Sequence, residues 1–347
     1  MLPDIFKSKL HFEKIYNEYL LNLSKKKIDV SDLGILILLS AHATFNPELY
    51  RKINKRLDSI YKKLSSEIND IPDKLKNDDY HVALQILKIG WRNVERVHFK
   101  KLIELWDVQY NQLRTFKPRR NAVEKIESVF KKYDKNSFNF NKPFLKRECF
   151  KKCKCNGMYV SLFYNKFPFV PYHTLLVPEQ NKNHPQFLKK RFHYYASDLI
   201  KNTGGFAIGY NSIGAFASVN HLHFQLFIEK EKMPVCNPIW KHNGGTKKYP
   251  AECFVFGSKA ASWEFISMLH DQNIPYNILY TKEKTYIFPV NFQKIHKKTI
   301  FPLGFAWIEF SGSFINVTKK DYDKITEKQI LREFRMNKFK KNDRIRL

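Results

Sequence analysis

The residues with the clearest potential for chemistry stand at every second position of one apolar run. Residues 220–229 read NHLHFQLFIE, in which His221, His223 and Gln225 alternate with apolar side chains. In a β-strand, alternate side chains share a face and lie roughly 6.5–7 Å apart, because the chain rises about 3.3 Å per residue. Two imidazoles and an amide would then line one pocket, with the intervening apolar residues in the core behind them. An exposed polar face of the sheet is the alternative, since it avoids burying unpaired polar groups.

A stretch rich in glycine and small residues leads directly into this run. Residues 205–219 read GFAIGYNSIGAFASV and include Gly214 and Ser218. Glycine lets the backbone approach a ligand closely, and successive backbone amides can cradle phosphate oxygens. Joined to a His-x-His-x-Gln strand, this stretch favours a phosphate-binding pocket over an exposed polar face.

The side chains of this pattern suit a two-step group transfer at phosphorus. A neutral imidazole is a good nucleophile near pH 7, and a phosphorylated imidazole is reactive enough to pass its group on. The other ring nitrogen needs a fixed hydrogen-bond acceptor, which the motif does not reveal. A cation must offset the charge on the phosphate oxygens. Lys142, Lys166 and Arg147 are candidates by proximity in the sequence.

The pattern His-hydrophobic-His-hydrophobic-Gln resembles the histidine-triad superfamily, in the branch where glutamine replaces the third histidine and which includes galactose-1-phosphate uridylyltransferase. The longer string GYNSIGAFASVNHLHFQ is similar to the GDP-hexose phosphorylases, the family of GDP-L-galactose and GDP-D-glucose phosphorylase. Two upstream stretches, FNFNKPFLKRECF and FYNKFPFVPYHTLLVPE, also resemble that family. The resemblance covers about residues 108–312, and the helical residues before it have no identified counterpart.

The resemblance implies a role for each matching residue. His223 would attack the α-phosphorus and carry the nucleotidyl group, Gln225 would hydrogen-bond that phosphate, and His221 would support the strand or the site. Gln225 also favours transfer over hydrolysis, because the family's glutamine members transfer the nucleotidyl group and its triple-histidine members mostly hydrolyse. The other residues expected to bind substrate or phosphate are Asn211, Gly214, Ser218, Asn165, His173 and Arg120.

Arg120 ends a basic cluster that also contains Arg114, Lys117 and Arg119. The segment resembles those that precede the catalytic domain in nucleotide phosphorylases, where it could hold a nucleotide or a phosphate. A solvated hinge near Pro118 is the alternative.

Other polar features are interpreted as structural or left open. Glu309 lies in a segment that resembles a degenerate second copy of the triad domain, and it is expected to be structural. Gly244 and Gly245, flanked by lysines, form either a phosphate-touching turn or only a loop. The isolated histidines are expected to be ordinary: His42, His242, His270 and His296.

Two residue patterns, one in each part of the chain, predict the fold class. Residues 1–115 show helical periodicity and predict a helical extension whose third helix runs to Trp106, with a bend near Gly90. From about residue 135, short apolar or alternating runs predict strands, including GFAWIEF at 304–310, and a helix is predicted within 184–202. Together these patterns predict an α+β fold with a helical N-terminal extension. The resemblance implies that the sheet is antiparallel and histidine-triad-like, with helices packed on it.

The predicted domain boundaries follow the change between these two patterns. Residues 1–115 form the helical extension, and residues 116–330 form a histidine-triad-like nucleotidyltransferase or phosphorylase domain whose C-terminal part is a degenerate second half. Residues 331–347 are predicted to be a basic tail, mobile from Met336 onward.

Composition restricts the class further. The 347 residues include 61 Lys and Arg against 33 Asp and Glu, a net charge of +28. Such a charge attracts polyanions, although a lysine-rich coding bias on a solvated surface explains it equally. The sequence contains no run of about 18 apolar residues, so no membrane span is predicted. The N-terminus carries charges and is unlike a secretory signal. Five cysteines without framework spacing indicate reduced thiols and a cytoplasmic location, and Cys153 and Cys155 are too close for the usual zinc hook.

The sequence thus predicts a nucleotidyltransferase that acts as a phosphorylase of nucleoside-diphosphate hexoses, with GDP-hexose as the expected class. Its partners would be a sugar nucleotide and inorganic phosphate, without a cofactor, a metal or a membrane. A dinucleoside polyphosphate phosphorylase, another sugar-nucleotide transferase, and a basic nucleic-acid-binding protein on a triad scaffold are the alternatives. The oligomeric state stays open, with a homodimer as one option.

Overall fold

The computed structural model describes residues 2–73, 76–118, 126–294 and 299–340. Its N-terminal region is helical, with α1 (Lys9–Lys25), α2 (Leu33–Phe45), α3 (Pro47–Glu67) and α4 (Asp78–Ile89). Three of these helices begin after a polar residue whose side chain accepts hydrogen bonds from first-turn amides, which have no partner within the helix: Ser8, Asn46 and Asn77. The apolar helix α2 is buried on nearly all sides and packs against α3 and α4.

The prediction that the third helix continues past Gly90 is wrong. Gly90 has a φ of 77° and ends α4, a conformation that glycine adopts without a steric penalty. The chain then forms an antiparallel hairpin of β1 (His98–Leu102) and β2 (Trp106–Tyr110). The alternation of apolar and polar residues in WDVQY was the available signal for a strand. A later strand, β11 (Ser313–Asn316), pairs with β2 in parallel and completes a three-stranded sheet.

An eight-stranded antiparallel sheet forms the centre of the molecule, in the order β3-β4-β5-β7-β6-β9-β10-β8. Its strands are β3 (Cys149–Cys155), β4 (Met158–Tyr164), β5 (Thr174–Pro178), β6 (Phe206–Asn211), β7 (Phe224–Ile228), β8 (Phe254–Phe256), β9 (Tyr276–Tyr280) and β10 (Thr285–Pro289). This sheet and the helical N-terminal region confirm the predicted α+β class.

Within the described ranges, five further α-helices accompany the sheet: α5 (Lys190–Asn202), α6 (Lys259–Asp271), α7 (Trp307–Phe310), α8 (Lys319–Lys324) and α9 (Glu327–Asn337). The strand predicted at 304–310 is wrong, because its second half is the short helix α7. The Glu309 carboxylate accepts a hydrogen bond from the Ala306 amide, which favours a helical turn at this point. No helix in the described ranges is long and apolar enough to cross a membrane.

The predicted boundary of the basic tail lies inside a packed element. Residues 331–337 belong to α9, and both Phe334 and Phe339 are buried. Residues 341–347 lie outside the described residues, and the predicted division into domains remains a prediction.

The central sheet is covered on both faces, and the alternation along β7 decides which side chain faces which layer. Leu226 packs in one core with Phe12 of α1 and Phe192 of α5. Phe227 packs in a second core with Trp307 of α7, the two rings being stacked 5.4 Å apart. The N-terminal helices are therefore packed into the same core as the sheet.

Candidate active site

The His-x-His-x-Gln segment lies partly before the strand that was predicted to carry it. β7 begins at Phe224, so Gln225 is on the strand while His221 and His223 precede it. A hydrogen bond from the backbone to a side chain still holds this segment in place, because the His223 amide donates to Gln186 Oε1 at 2.8 Å. The same Gln186 side chain donates to the carbonyls of Asn211 and His223.

The tautomer of His223 follows from its partner. His223 Nδ1 lies 2.8 Å from the backbone carbonyl oxygen of His221. A carbonyl can only accept, so Nδ1 carries the proton and donates it, and the neutral ring keeps a lone pair on Nε2. Burial, together with the smaller effect of the Lys117 charge, lowers the pKa of His223 to about 4, and the bond to His221 opposes the shift. His223 is thus a neutral imidazole near pH 7, with the fixed acceptor that a nucleophilic histidine needs.

A cavity of about 140 Å³ adjoins His223. Five of the residues predicted to bind or react with substrate line it together: His223, Gln225, Asn211, Ser218 and Asn165. Three of the other predicted residues, all within the described ranges, do not line this cavity: His221, His173 and Gly214. His221 and His173 are fully buried behind its wall, Gly214 lies elsewhere in the loop, and Arg120 lies outside the described residues.

His221 contacts backbone groups on both sides of the wall. Its carbonyl oxygen accepts from His223, and its ring Nδ1 accepts from the Phe140 amide at 3.2 Å. Phe140 in turn lines the cavity, with its ring centroid 5.3 Å from that of His223. These contacts place His221 as a support between the His223 ring and the segment that carries Phe140.

The glycines of the loop are explained by packing more directly than by a ligand. A Cβ atom at Gly209 would come within 2.2 Å of the Trp307 ring, so only glycine admits this tryptophan. Gly214 has a φ of 83°, and a Cβ there would come within 2.7 Å of the Phe292 ring. The expected contact of Gly214 with phosphate is therefore not supported by its position.

The cations beside His223 are not those nearest in the sequence to the upstream motif. Lys142 donates to the backbone carbonyls of Lys135 and Asn136, and neither it nor Arg147 lines the cavity. Arg147 pairs with Asp32. Lys166 does line the cavity, but two carboxylates neutralise it. The position of Lys142 and Arg147 therefore does not support them as the cations that offset the charge of the phosphate oxygens.

Arg114 and Lys117 line the cavity instead, so this part of the basic cluster belongs to the site. Arg114 is only 5% exposed, and burial lowers its pKa to about 10, which leaves it charged. Its Nη1 donates to the Phe167 carbonyl at 2.5 Å, and the guanidinium carbon lies 4.4 Å from the Phe169 ring centroid. Within the described ranges its buried Nε has no hydrogen-bond partner. A cation held in this way is suited to an anionic ligand.

The N-terminal helices hold the segment that links Asn165 to His173. His42 Nε2 donates to the Asn165 carbonyl at 2.9 Å, and the Tyr16 hydroxyl donates to the His173 carbonyl at 3.2 Å. His173 is fully buried, and burial, followed by the charge of Arg114, lowers its pKa well below the usual value, while a hydrogen bond with Gln225 opposes the shift. His42 was expected to be ordinary, and sequence periodicity carries no signal for a contact over this separation.

Glu309 is a cavity residue that was expected to be only structural. Its Oε2 accepts from the Ala306 amide at 2.8 Å, which is a structural role, yet the side chain also lines the cavity. Burial raises the pKa of Glu309 to about 7, and hydrogen bonds from the backbone and the charges of Arg114 and Lys117 oppose the shift. The carboxyl group therefore changes its ionisation near neutral pH.

Glu309→Gln is expected to raise the free energy of unfolding by about 1–3 kcal/mol at pH 8 and to leave it nearly unchanged at about pH 4. The folded pKa of about 7 exceeds the ordinary value of 4.5, so the folded state holds the extra proton between these values and stability falls as pH rises through them. Glutamine cannot ionise and still accepts from Ala306. Urea unfolding across this pH range, with exposed Glu95→Gln as the control, measures the effect. An unchanged pH dependence would show that Glu309 is not the group responsible.

Comparison with known families agrees with this architecture. The model described as GDPGP1-like, N-terminal domain, matches residues 106–227, and the model described as GDPGP1-like, C-terminal domain, matches residues 238–343. The two matches together include the His-x-His-x-Gln segment, the central sheet from β3 onward and the three-stranded sheet except for β1.

The curated relatives match this chain over only part of their own length. GDP-D-glucose phosphorylase 1 of Danio rerio is 35% identical over 33% of this chain and 34% of its own length. GDP-L-galactose phosphorylase 1 of Arabidopsis thaliana is 25% identical over 63% of this chain and 59% of its own length. The chain thus spans between about a third and three fifths of the length of these relatives.

Among solved structures, a yeast Ap4A phosphorylase in complex with Ap4A matches with a TM-score of 0.46 and 16% identity, over 70% of this chain and 89% of that chain. The family assignment rests on the two domain models, which follow one another along most of the chain and leave out the N-terminal helices. The chain belongs to the GDPGP1-like family.

Proposed function

We propose that the chain is a nucleotidyltransferase that acts as a phosphorylase of nucleoside-diphosphate hexoses, with GDP-hexose as the substrate class. The observation that carries the proposal is His223, a buried neutral imidazole whose Nδ1 is bonded to the His221 carbonyl. It shares a cavity with Gln225 and with the cations Arg114 and Lys117. The relatives named GDP-D-glucose and GDP-L-galactose phosphorylase support the choice of substrate.

The reaction would proceed as two displacements at the α-phosphorus. His223 Nε2 forms a bond to this phosphorus while the bond to the oxygen that bridges to the β-phosphorus breaks, which releases hexose 1-phosphate. An oxygen of inorganic phosphate then attacks the same phosphorus, the P–N bond breaks, and GDP leaves. No proton has to leave the ring, because the Nδ1–H stays bonded to the His221 carbonyl and this carbonyl stabilises the positive imidazolium of the intermediate.

The neighbouring side chains account for the charge and for the choice of acceptor. Arg114 and Lys117 offset the negative charge of the transferring phosphate, and the Gln225 amide hydrogen-bonds its oxygens. By resemblance to the glutamine members of the histidine-triad superfamily, which transfer the nucleotidyl group, Gln225 favours nucleotidyl transfer to phosphate over hydrolysis. The five cysteines lie in the described ranges as unpaired thiols, which supports a cytoplasmic location.

A panel of sugar nucleotides, incubated with the purified chain with and without inorganic phosphate, tests the proposal. We expect GDP and hexose 1-phosphate in equal amounts only when phosphate is present. Without phosphate, intact-mass measurement is expected to show one nucleotidyl group on the protein. A lack of phosphate-dependent GDP release would contradict the proposal, and preferential cleavage of dinucleoside polyphosphates would favour that alternative. Salt-sensitive retention on RNA without turnover would favour the nucleic-acid-binding alternative.

A further inference from the structure

The loop between β4 and β5 forms part of the cavity wall. This wall loop spans residues 165–173 and is neither helix nor strand. Its members that line the cavity are Asn165, Lys166, Phe167 and Phe169. Buried backbone carbonyls need hydrogen-bond partners, and a loop outside helices and strands has to find many of them on other elements. The elements that supply those partners therefore fix the position of this wall.

The middle of the wall loop is held by the chain segment that carries Arg114. Three side chains of this segment donate to three successive carbonyls of the loop, from Gln109, Asn111 and Arg114 to Phe169, Pro168 and Phe167, respectively. The first family model begins at residue 106 and includes both the segment and the loop. These contacts therefore lie within the part of the chain that the family shares.

The ends of the wall loop are held by the N-terminal helices. His42 Nε2 of α2 donates to the Asn165 carbonyl at 2.9 Å, and the Tyr16 hydroxyl of α1 donates to the His173 carbonyl at 3.2 Å. The Tyr16 hydroxyl oxygen also lies 3.2 Å from His42 Nδ1, so the two side chains contact each other. Tyr16 and His42 are only 2% and 4% exposed, respectively. Both precede residue 106, so they lie outside the region that the family models match.

Side chains at the two ends of the loop connect it with the phosphate side of the cavity. The Phe167 amide donates to Asn165 Oδ1 at 2.9 Å, which turns Asn165 Nδ2 toward the His173 ring, 3.2 Å from its Nε2. A further hydrogen bond links His173 with Gln225, which lines the cavity together with His223. A shift of either end of the loop would therefore displace Gln225, and a misplacement of about 1 Å can lower a rate about 10²-fold.

We propose that Tyr16 and His42 are positioning residues, which hold the ends of the wall loop and thereby keep the Gln225 amide beside the transferring phosphate. Neither of these described residues lines the cavity, so both act through the loop. The inference rests on the proposed function for the role of Gln225. It gives the N-terminal helices, which have no identified counterpart in the resembled family, a part in the reaction.

Hydrogen exchange followed by mass spectrometry tests the hold on the loop without any substrate. The amides of Asn165, Phe167 and Phe169 are hydrogen-bonded within the wall loop, so their exchange reports its order. In His42→Leu, they are expected to exchange about 10-fold faster or more, because the loop opens locally when one end is released. Unchanged exchange in the folded variant overturns the inference.

Matched controls remove the same chemical groups elsewhere in the protein. His193→Leu removes a buried ring that is bonded to Tyr280, and Tyr61→Phe removes a buried hydroxyl that is bonded to Ser40. Neither His193 nor Tyr61 lines the cavity. Since these contacts are separate from the wall loop, both controls are expected to leave its exchange and kcat within about twofold of the wild type. Thermal unfolding confirms that each variant is folded.

Kinetics test the effect on the reaction. His42→Leu is expected to lower kcat/KM for phosphorolysis about 10- to 100-fold, with the larger part in kcat, since a displaced Gln225 no longer meets the phosphate in the transition state. His42→Gln keeps an N–H donor for the Asn165 carbonyl and is expected to recover activity to within about threefold. Tyr16→Phe keeps the ring and is expected to lose about 3- to 10-fold.

A double variant separates positioning from general stability. In a Gln225→Ala background, His42→Leu is expected to lower kcat by no more than about threefold, because the group that it positions is gone. Losses that multiply independently overturn the inference, as does full activity of a variant whose loop exchanges rapidly. If the wild type releases no hexose 1-phosphate from any sugar nucleotide, the proposed function fails, and GDP binding decides the inference. An affinity lowered in His42→Leu and restored in His42→Gln supports it, and equal affinities overturn it.

Discussion

His223→Ala is expected to lower kcat/KM for phosphorolysis by about 10³- to 10⁶-fold and to abolish the nucleotidyl adduct. Alanine removes the protein group that forms a bond to phosphorus in the proposed reaction, so the two displacements have no shared intermediate. GDP binding should change little by comparison, because Arg114, Lys117 and Phe140 still line the cavity. Steady-state kinetics, intact-mass measurement and calorimetry together separate the loss of chemistry from a loss of binding.

A matched control for this experiment is His98→Ala. His98 is an exposed histidine on β1 that does not line the cavity, and its replacement is expected to leave turnover within about twofold. If the His223 variant retains more than a hundredth of wild-type activity while folded, the attack by this histidine is refuted. Retained adduct formation on another residue would lead to the same conclusion.

Arg114→Met is expected to lower kcat/KM by about 10²- to 10³-fold, since it removes a preorganised cation from a site where phosphate charge develops. The buried guanidinium has one unpartnered Nε within the described ranges, so a phosphate oxygen would gain a charge-assisted hydrogen bond there. Methionine has a similar length and fills the space beside Phe169.

The same change is expected to destabilise the fold by about 1–3 kcal/mol, because the Phe167 carbonyl loses its donor. Kinetics are therefore measured below the thermal unfolding range of the variant. Lys142→Met is the control, since it removes a cation that is near in sequence, does not line the cavity and donates to the carbonyls of Lys135 and Asn136. Equal activity of the folded Arg114 and Lys142 variants would show that Arg114 does not contact the phosphates.

Several features of the site were predictable because they depend on local periodicity. The alternation in residues 220–229 separates Leu226, in the core shared with the helices, from Gln225, on the cavity side. The helical stripes predicted the N-terminal helices up to Gly90, and short alternating runs predicted most strands of the large sheet. Local pattern failed at 98–110 and at 304–310, where the cap at Glu309 and the pairing of β11 with β2 decide the structure.

The interpretation of the glycines changed for a similar reason. Glycines before a histidine motif favoured a phosphate cradle, but Gly209 is required by the Trp307 ring, which is almost a hundred residues away in the chain. A glycine in the sequence shows that another group can come close to the backbone at that position. Only the folded structure shows which group makes the approach.

By itself, the sequence determined the class of fold, the polar side chains of the motif and the expected chemistry, since a period of two and the identity of the side chains are local properties. Only the tertiary structure decided which groups complete the site. The carbonyl that orients His223, the cation Arg114 and the carboxyl group of Glu309 come together through packing between separate elements. The ionisation of these groups depends on burial and neighbouring charge, and the spacing of residues along a chain specifies neither.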